Sequence, residues 1–406
     1  MTPAQFDTDL HNSVILAICG RDRVTVSRQM NGKAWAMNLE QAYDPRNNAL
    51  NAWRLTLASG VIFLHSFLLT KQHLPEIHQF LRDGWVDGFF AISGFLIAGS
   101  WLNKAKSRTY FAARALRILP GLWVCLIITA FIFAPATGSV SFSSQIGYVL
   151  KNGTLLPLQV SIDGTPPTDF PTWNGNLWTL LFEMLCYLLV AALGFMRLLN
   201  KWFVLIAFLG AVVWSEMLPP WSVFGGMMET GQAIDPATFA VLVQSLTARL
   251  LTMFLAGALL YLFRDQIPAS WTLVALAVVI VATSTLLPSY RLLAAIPLTY
   301  GLIVSGALIR HKWLQLPTDL SYGVYIYGFP LQQLLLVAGV GVHPILFAAI
   351  SVGVTLPLAA LSWFLIEKPS LGLKKRLEQR DSRPPSMSVR VSGENVRRKW
   401  MRHRAA

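Results

Sequence analysis

The chain is short of charge. Asp, Glu, Lys and Arg make up only 13% of its 406 residues, where a soluble domain of ordinary composition carries about 25%. So small a polar share cannot cover a globule of this size, which excludes a large soluble enzyme. Cysteine is scarce as well. Cys19, Cys125 and Cys186 have neither metal-ligand nor redox spacing, so the sequence offers no disulfide framework and no metal site. There is no internal repeat, no heptad pattern and no second stretch with the composition of a soluble domain. The apolar stretch Val14–Cys19 is too short for a signal-peptide core and has no small-residue cleavage site. Residues 1–50 are therefore expected to form a polar, poorly ordered cytoplasmic tail, with Met30 and Met37 as alternative translation starts.

What the chain has instead is apolar residues in long runs. It is 54% hydrophobic with a mean hydropathy of +0.51, and many of its 14 Trp lie near the ends of those runs, as in an interfacial belt. The runs cover 53–70, 85–102, 116–135, 177–199, 202–218, 245–263, 270–287, 292–310, 319–341 and 345–366. Each is near the ~20 residues that cross a bilayer. This predicts an all-α, polytopic transmembrane helix bundle of about ten spans. With the N-terminus inside, the outer loops hold Lys71, Arg82, Lys151 and Arg291. The inner loops then hold Lys104, Lys106, Arg108, Arg114, Arg117, Arg197, Lys201, Arg264, Arg310 and Lys312. Ten against four predicts that both termini are cytoplasmic. Topology, rather than nucleic acid, thus accounts for the net charge of +13. The expected organisation is a tail over 1–50, a membrane domain over 51–370 and a basic cytoplasmic tail over 371–406, disordered in part. The long outer loops, 136–176 and 219–244, read as ordered coil with a functional role.

Titratable side chains at membrane depth are costly and mark function more often than chance. Arg54 and His65 are eleven residues apart, so they differ by about 20° around a helix and by roughly 16 Å along it. His65 is then near the middle of the ~30 Å hydrocarbon core. A neutral imidazole there can take a proton from a hydroxyl or act as a nucleophile; a His bonded structurally to a neighbouring helix is the alternative. Asp87 and Glu183 are expected near the same depth, where a carboxylate can fix the tautomer of the ring. A helix-start charge is the plainer reading of Asp87, and a buried pair with Arg249 that of Glu183. Arg114 and Arg117, three residues apart, can converge on one anion at the cytoplasmic mouth, as a phosphorylated ligand requires, though positive-inside anchoring uses the same residues. Ser93 precedes Gly94 in a small step that permits close helix packing. Ser93, Trp178, Arg249, Tyr322 and Tyr325 are the candidate lining of a substrate cavity. A proton-coupled transporter or a non-catalytic partner in polysaccharide export fits the same residues.

Six segments together resemble the membrane-bound acyltransferase family 3, from about Asn51 to Lys375. Arg54 and His65 match its Arg-x10-His pattern, and Arg114 and Arg117 its paired arginines. Phe89–Phe95 matches its Phe-Phe-x-x-Ser-Gly-Phe run, preceded by Asp87. Leu177–Glu183 matches Leu-Trp-Ser/Thr-Leu-x-x-Glu, Ser321–Tyr325 matches Ser-Tyr-x-x-Tyr, and Ile366–Pro369 matches Ile-Glu-Lys-Pro. Many relatives have a His just after the Ser-Tyr-x-x-Tyr run, where this chain has Tyr327-Gly328-Phe329-Pro330. The resemblance implies an O-acyltransferase of the bacterial inner membrane, with acyl-CoA (acetyl-CoA first among donors) as donor substrate and no metal. Its acceptor would be a hydroxyl of a cell-surface carbohydrate such as exopolysaccharide or lipopolysaccharide, and its partners the bilayer and polysaccharide-synthesis proteins. By that likeness His65 is the essential histidine, Glu183 the motif glutamate, and Arg54, Arg114 and Arg117 the essential arginines.

Overall fold

A computed structural model describes residues 37–72, 79–103, 107–165, 172–219, 235–287 and 289–373. Among these the fold is all helix, without a strand; a single isolated bridge joins Asn38 and Pro268. The helices are α1 (Leu39–Ala42), α2 (Leu50–Leu69), α3 (Gln79–Leu102), α4 (Ser107–Ile128), α5 (Phe142–Asn152), α6 (Trp178–Phe195), α7 (Lys201–Glu216), α8 (Pro236–Leu262), α9 (Trp271–Ser284), α10 (Arg291–Leu308), α11 (Ser321–Val337) and α12 (Pro344–Ser362). Short π-helical turns, Thr129–Phe133 and Trp363–Glu367, extend α4 and α12.

Every apolar run read from the sequence contains a helix. Seven helices are long and apolar enough to cross a membrane. The helices α7, α9 and α11 are shorter, with 16, 14 and 17 residues. At 1.5 Å per residue, fourteen residues reach about 21 Å, less than the ~30 Å core. Four prolines, Pro120, Pro297, Pro330 and Pro357, lie inside helices; packed bundles tolerate this because neighbouring groups re-satisfy the freed carbonyls.

The tightest seam joins α3 and α8. A Cβ on Gly94 would fall 1.9 Å from the carbonyl oxygen of Phe254, and one on Gly257 would fall 1.9 Å from that of Ala91. Only glycine at both positions lets the two backbones touch, so the Ser93-Gly94 step is a packing device, as its composition suggested.

Two segments differ from expectation. Residues 38–50, read as part of an unstructured tail, are folded. Asn38 caps α1 and donates from its amide to Asp265 O (3.0 Å), Leu39 and Ala42 are fully buried, and Ala269 N bonds Met37 O (2.7 Å). A helix this short has no hydropathy signal; it is held by its Asn38–Gln41 capping box and by tertiary contacts. The 136–176 loop contains α5, whose Tyr148 and Val149 are buried. Its apolar residues recur at helical spacing among Ser, Gln and Lys, which conceals it from a hydropathy scan. Residues 1–36 and the basic tail from 374 lie outside the described residues.

Candidate active site

At one end of the bundle the N-terminal half of α2 meets α4 and the start of α11. Arg54 and Arg117 both donate to Asp319 Oδ2, Arg117 at 2.6 Å, and Ser321 Oγ donates to the other oxygen (2.5 Å). Arg117 also lies 3.8 Å from Glu367 and over the rings of Tyr322 and Trp363, at 5.5 and 5.9 Å. Asp319 lies outside the helices. Burial works against its charge, but Arg117 and Arg54 outweigh it and hold the carboxyl below the ordinary value of 3.8. Arg114 is placed differently. It lies over Tyr110 and Tyr187, at 5.9 and 5.6 Å, and its buried Nε has no hydrogen-bond partner among the described residues.

Just inside this cluster is a small cavity of ≈ 40 Å³ lined by Arg54, Ser93, Glu183, Tyr322 and Tyr325, with Phe89, Phe90 and Thr179 among the rest. Five of the candidate residues therefore face one space. Glu183 accepts from Tyr187 Oη. Tyr325 Oη is within 2.5 Å of Thr179 Oγ1. Trp178 is not on the cavity wall; it stacks edge-on against Phe182 at 5.8 Å.

His65 lies further along α2. Its ring meets that of Phe329 edge-on at 5.0 Å, and its buried Nδ1 has no partner among the described residues. Among the described residues no carboxylate bonds it. Glu183 shares its cavity with Arg54, whereas Asp87 belongs to a separate buried network. Arg249 Nε donates to Asp87 Oδ1 (2.8 Å) and Arg291 Nε to Asp87 Oδ2 (2.7 Å), while Tyr290 Oη donates to the same carboxylate. Asp83 completes it, 3.3 Å from Arg249 and 2.5 Å from Arg291. Arg82 is a third guanidinium beside Asp83, at 3.7 Å, so two carboxylates meet three arginines, and pairing of this kind lets charge remain buried. Asp87 is fully occupied there, and Arg249 is committed to it rather than to Glu183 or the cavity.

The residues that sequence reasoning missed are those that pair with the ones it found. Asp83 stands one helical turn before Asp87 and could have been read as its neighbour. Arg291 looked like a loop charge. Asp319 and Glu367 gave no signal alone, although Glu367 sits in the Ile-Glu-Lys-Pro run. Among the described residues no group of three or more His, Cys, Asp or Glu side chains is arranged to hold a metal ion.

Residues 47–364 match the acyltransferase domain family, which is most of the chain, and the protein belongs to that family. It is an enzyme that transfers acyl groups. An O-acetyl transferase of Shigella phage Sf6 is 27% identical over 339 residues, covering 80% of this chain and 96% of the relative. Nodulation protein 10 of Rhizobium leguminosarum bv. viciae is 26% identical over 375 residues, covering 84% of this chain and 97% of the relative. No solved structure matches.

Proposed function

We propose that the protein is an O-acyltransferase of the bacterial inner membrane that moves an acetyl or similar acyl group from acyl-CoA to a hydroxyl of a cell-surface carbohydrate. The observation that carries this is the layout along α2. An arginine-rich mouth stands at Arg54, a small cavity that carries Glu183 and two tyrosine hydroxyls opens behind it, and an imidazole without a carboxylate partner among the described residues follows about 16 Å further on. That spacing is on the scale of an extended pantetheine arm. The chain crosses the membrane about ten times with both termini cytoplasmic, supported by the ten-to-four distribution of inner and outer basic residues, and works beside polysaccharide-synthesis proteins.

In this reading Arg114, whose guanidinium no carboxylate claims among the described residues, takes a phosphate of the donor, with Arg54 and Arg117 beside it. The acyl arm runs through the cavity past Glu183 and Tyr325 toward His65. There Nε2 or Nδ1 of the neutral ring removes the proton of the acceptor hydroxyl as its oxygen attacks the thioester carbon. The new C–O bond forms, the C–S bond breaks, and the imidazolium returns its proton to the departing thiolate. The ester and free coenzyme A are the products, and His65 ends neutral as it began.

The test is transfer by purified, monodisperse protein in detergent, comparing wild type with His65→Gln. An amide can hydrogen-bond but cannot take up a proton near neutral pH, so the variant should lose at least ~100-fold in rate, the lower end of what a general base supplies. A variant with most of the wild-type rate would leave His65 a packing residue and end the proposal.

A further inference from the structure

Three buried side-chain amides lie along α11 near the turn of α2 that carries His65: Gln332 bonds that turn, and Asn174 and Asn176 bond α11 carbonyls. Asn174 and Asn176 belong to the segment entering α6, and Gln332 to α11; their exposures are 6%, 2% and 0%. The orientation of each amide is fixed by what its nitrogen does. Asn174 Nδ2 donates to Ile326 O (3.2 Å), Asn176 Nδ2 to Tyr325 O (2.8 Å), and Gln332 Nε2 to Ile62 O (3.0 Å) and Ser66 Oγ (2.8 Å). Flipping any of them would set oxygen against a carbonyl oxygen. The amide oxygens are therefore the unspent ends, and all three are buried with no hydrogen-bond partner among the described residues, as is His65 Nδ1.

Contacts gather these groups around one ring. Phe329 meets His65 edge-on at 5.0 Å. A Cβ on Gly175, between the two asparagines, would fall 2.7 Å from that ring, so the backbone at Gly175 lies close against it. Gln332 is three residues beyond Phe329 and bonds both Ile62 and Ser66, which bracket His65 on α2. The subsite adjoins the cavity through Tyr325, which lines that cavity and whose carbonyl holds Asn176.

Buried acceptor oxygens without donors are rare, because each forfeits the hydrogen bonds it had in water. Three such oxygens and an imidazole nitrogen, with no charged side chain among them, call for a ligand that brings O–H donors and no charge. We infer that Asn174, Asn176 and Gln332 form a hydroxyl-binding subsite that seats an uncharged sugar unit of the acceptor against His65. This rests on the acyl-transfer reading above and adds to it the residues that recognise the acceptor and the chemistry they select.

The experiment separates donor chemistry from acceptor binding. Wild type, Asn174→Leu, Asn176→Leu and Gln332→Met are purified as full chains. Each is assayed for acetyl-CoA hydrolysis without acceptor, and for ester formation on alkali-deacylated surface glycan from the producing cell. The acceptor KM should rise roughly tenfold or more, the effect of losing a buried hydrogen bond to a substrate hydroxyl, while donor KM, set at the arginine mouth, stays within about twofold. Gln332→Met is the mildest change, since Ile62 O still accepts from Ser66 Oγ. A second measurement needs no variant: the deacylated glycan should raise the thermal midpoint of wild type, and its fully O-methylated form, which has no hydroxyl to donate, should not. Unchanged acceptor KM in the variants, or equal shifts from both glycans, would mean that the oxygens hold ordered water only and would overturn the subsite. If wild type neither hydrolysed acetyl-CoA nor acylated the glycan, the acyl-transfer reading would fail first and take the subsite with it.

Discussion

Asp319 changes what the arginines can do. A carboxylate shared by Arg54 and Arg117 already occupies the position where a ligand phosphate would sit between them, which leaves Arg114 as the guanidinium best placed for an anion. Replacing Arg114 with Lys keeps the charge but loses the planar fork and its stacking on Tyr110 and Tyr187. Donor KM should rise roughly tenfold with little change in thermal midpoint, read from acetyl-CoA titrations. Asp319→Asn should do the reverse. It leaves half-buried Arg54 without its carboxylate and Arg117 with Glu367 alone, and costs up to about 3–5 kcal/mol of stability. Its pH signature follows from the lowered carboxyl. A folded-state value below 3.8 means the stabilisation is fully present above the unfolded value and is lost as pH falls through the folded one. Thermal midpoints recorded from pH 7 to pH 3 should therefore fall at the acid end in wild type and more gently in Asp319→Asn. Identical acid profiles would remove Asp319 from the account of stability.

At the scale of helices, the Asp83–Asp87–Arg249–Arg291 network ties α3, α8 and α10 together, and its members reach the same place only in three dimensions. The helices themselves were legible, since hydropathy reports where a backbone must hydrogen-bond to itself. Their ends were less so. The start of α8 was expected at 245, yet Asp235 accepts from the amides of Ala237 and Thr238 with Pro236 following, a cap that the sequence displays but that polar residues set outside the apolar run. The partner of a buried charge was not legible at all. Asp87 could be read as a catalytic carboxylate because nothing local says that Arg249 and Arg291, more than 160 residues away, neutralise it. The geometry gives a discriminating expectation. Asp87→Asn should lower stability by about 3–5 kcal/mol, seen as a drop in thermal midpoint and in yield of monodisperse protein. The fraction that folds should still turn over acetyl-CoA near the wild-type rate. A stable variant that has lost turnover would return Asp87 to the chemistry.

For the molecule as a whole, the question is where the folded body begins. Hydropathy placed that point at the first apolar run, near residue 51, because it weighs burial within a helix and not the use of a polar segment as a strap. Residues 37–50 are such a strap. Met37 O and Leu39 N bond the chain at Ala269 and Ile267, Glu40 meets Arg264 at 3.0 Å, and Arg310 donates to Ala42 O at 3.0 Å. Ala49 N bonds Gly306 O (2.8 Å). The strap therefore clasps the turn between α8 and α9 and the end of α10, and α10 in turn carries Arg291 of the buried network. Most of these bonds are backbone to backbone, so they survive side-chain changes but not removal of the segment. A chain starting at Met37 should insert, remain monodisperse and transfer acyl groups at the full-length rate. A chain starting at Asn51 loses all of these bonds at once. With the burial of Leu39 and Ala42 also gone, its midpoint should fall by several degrees, as the loss of even one net hydrogen bond of ~1 kcal/mol is felt in a marginally stable fold. The two truncations, compared by thermal unfolding in detergent and by acyl transfer, decide the matter. Equal midpoints for both would show that the strap lies on the bundle without holding it, and a loss already present at Met37 would move the boundary of the folded unit into residues 1–36.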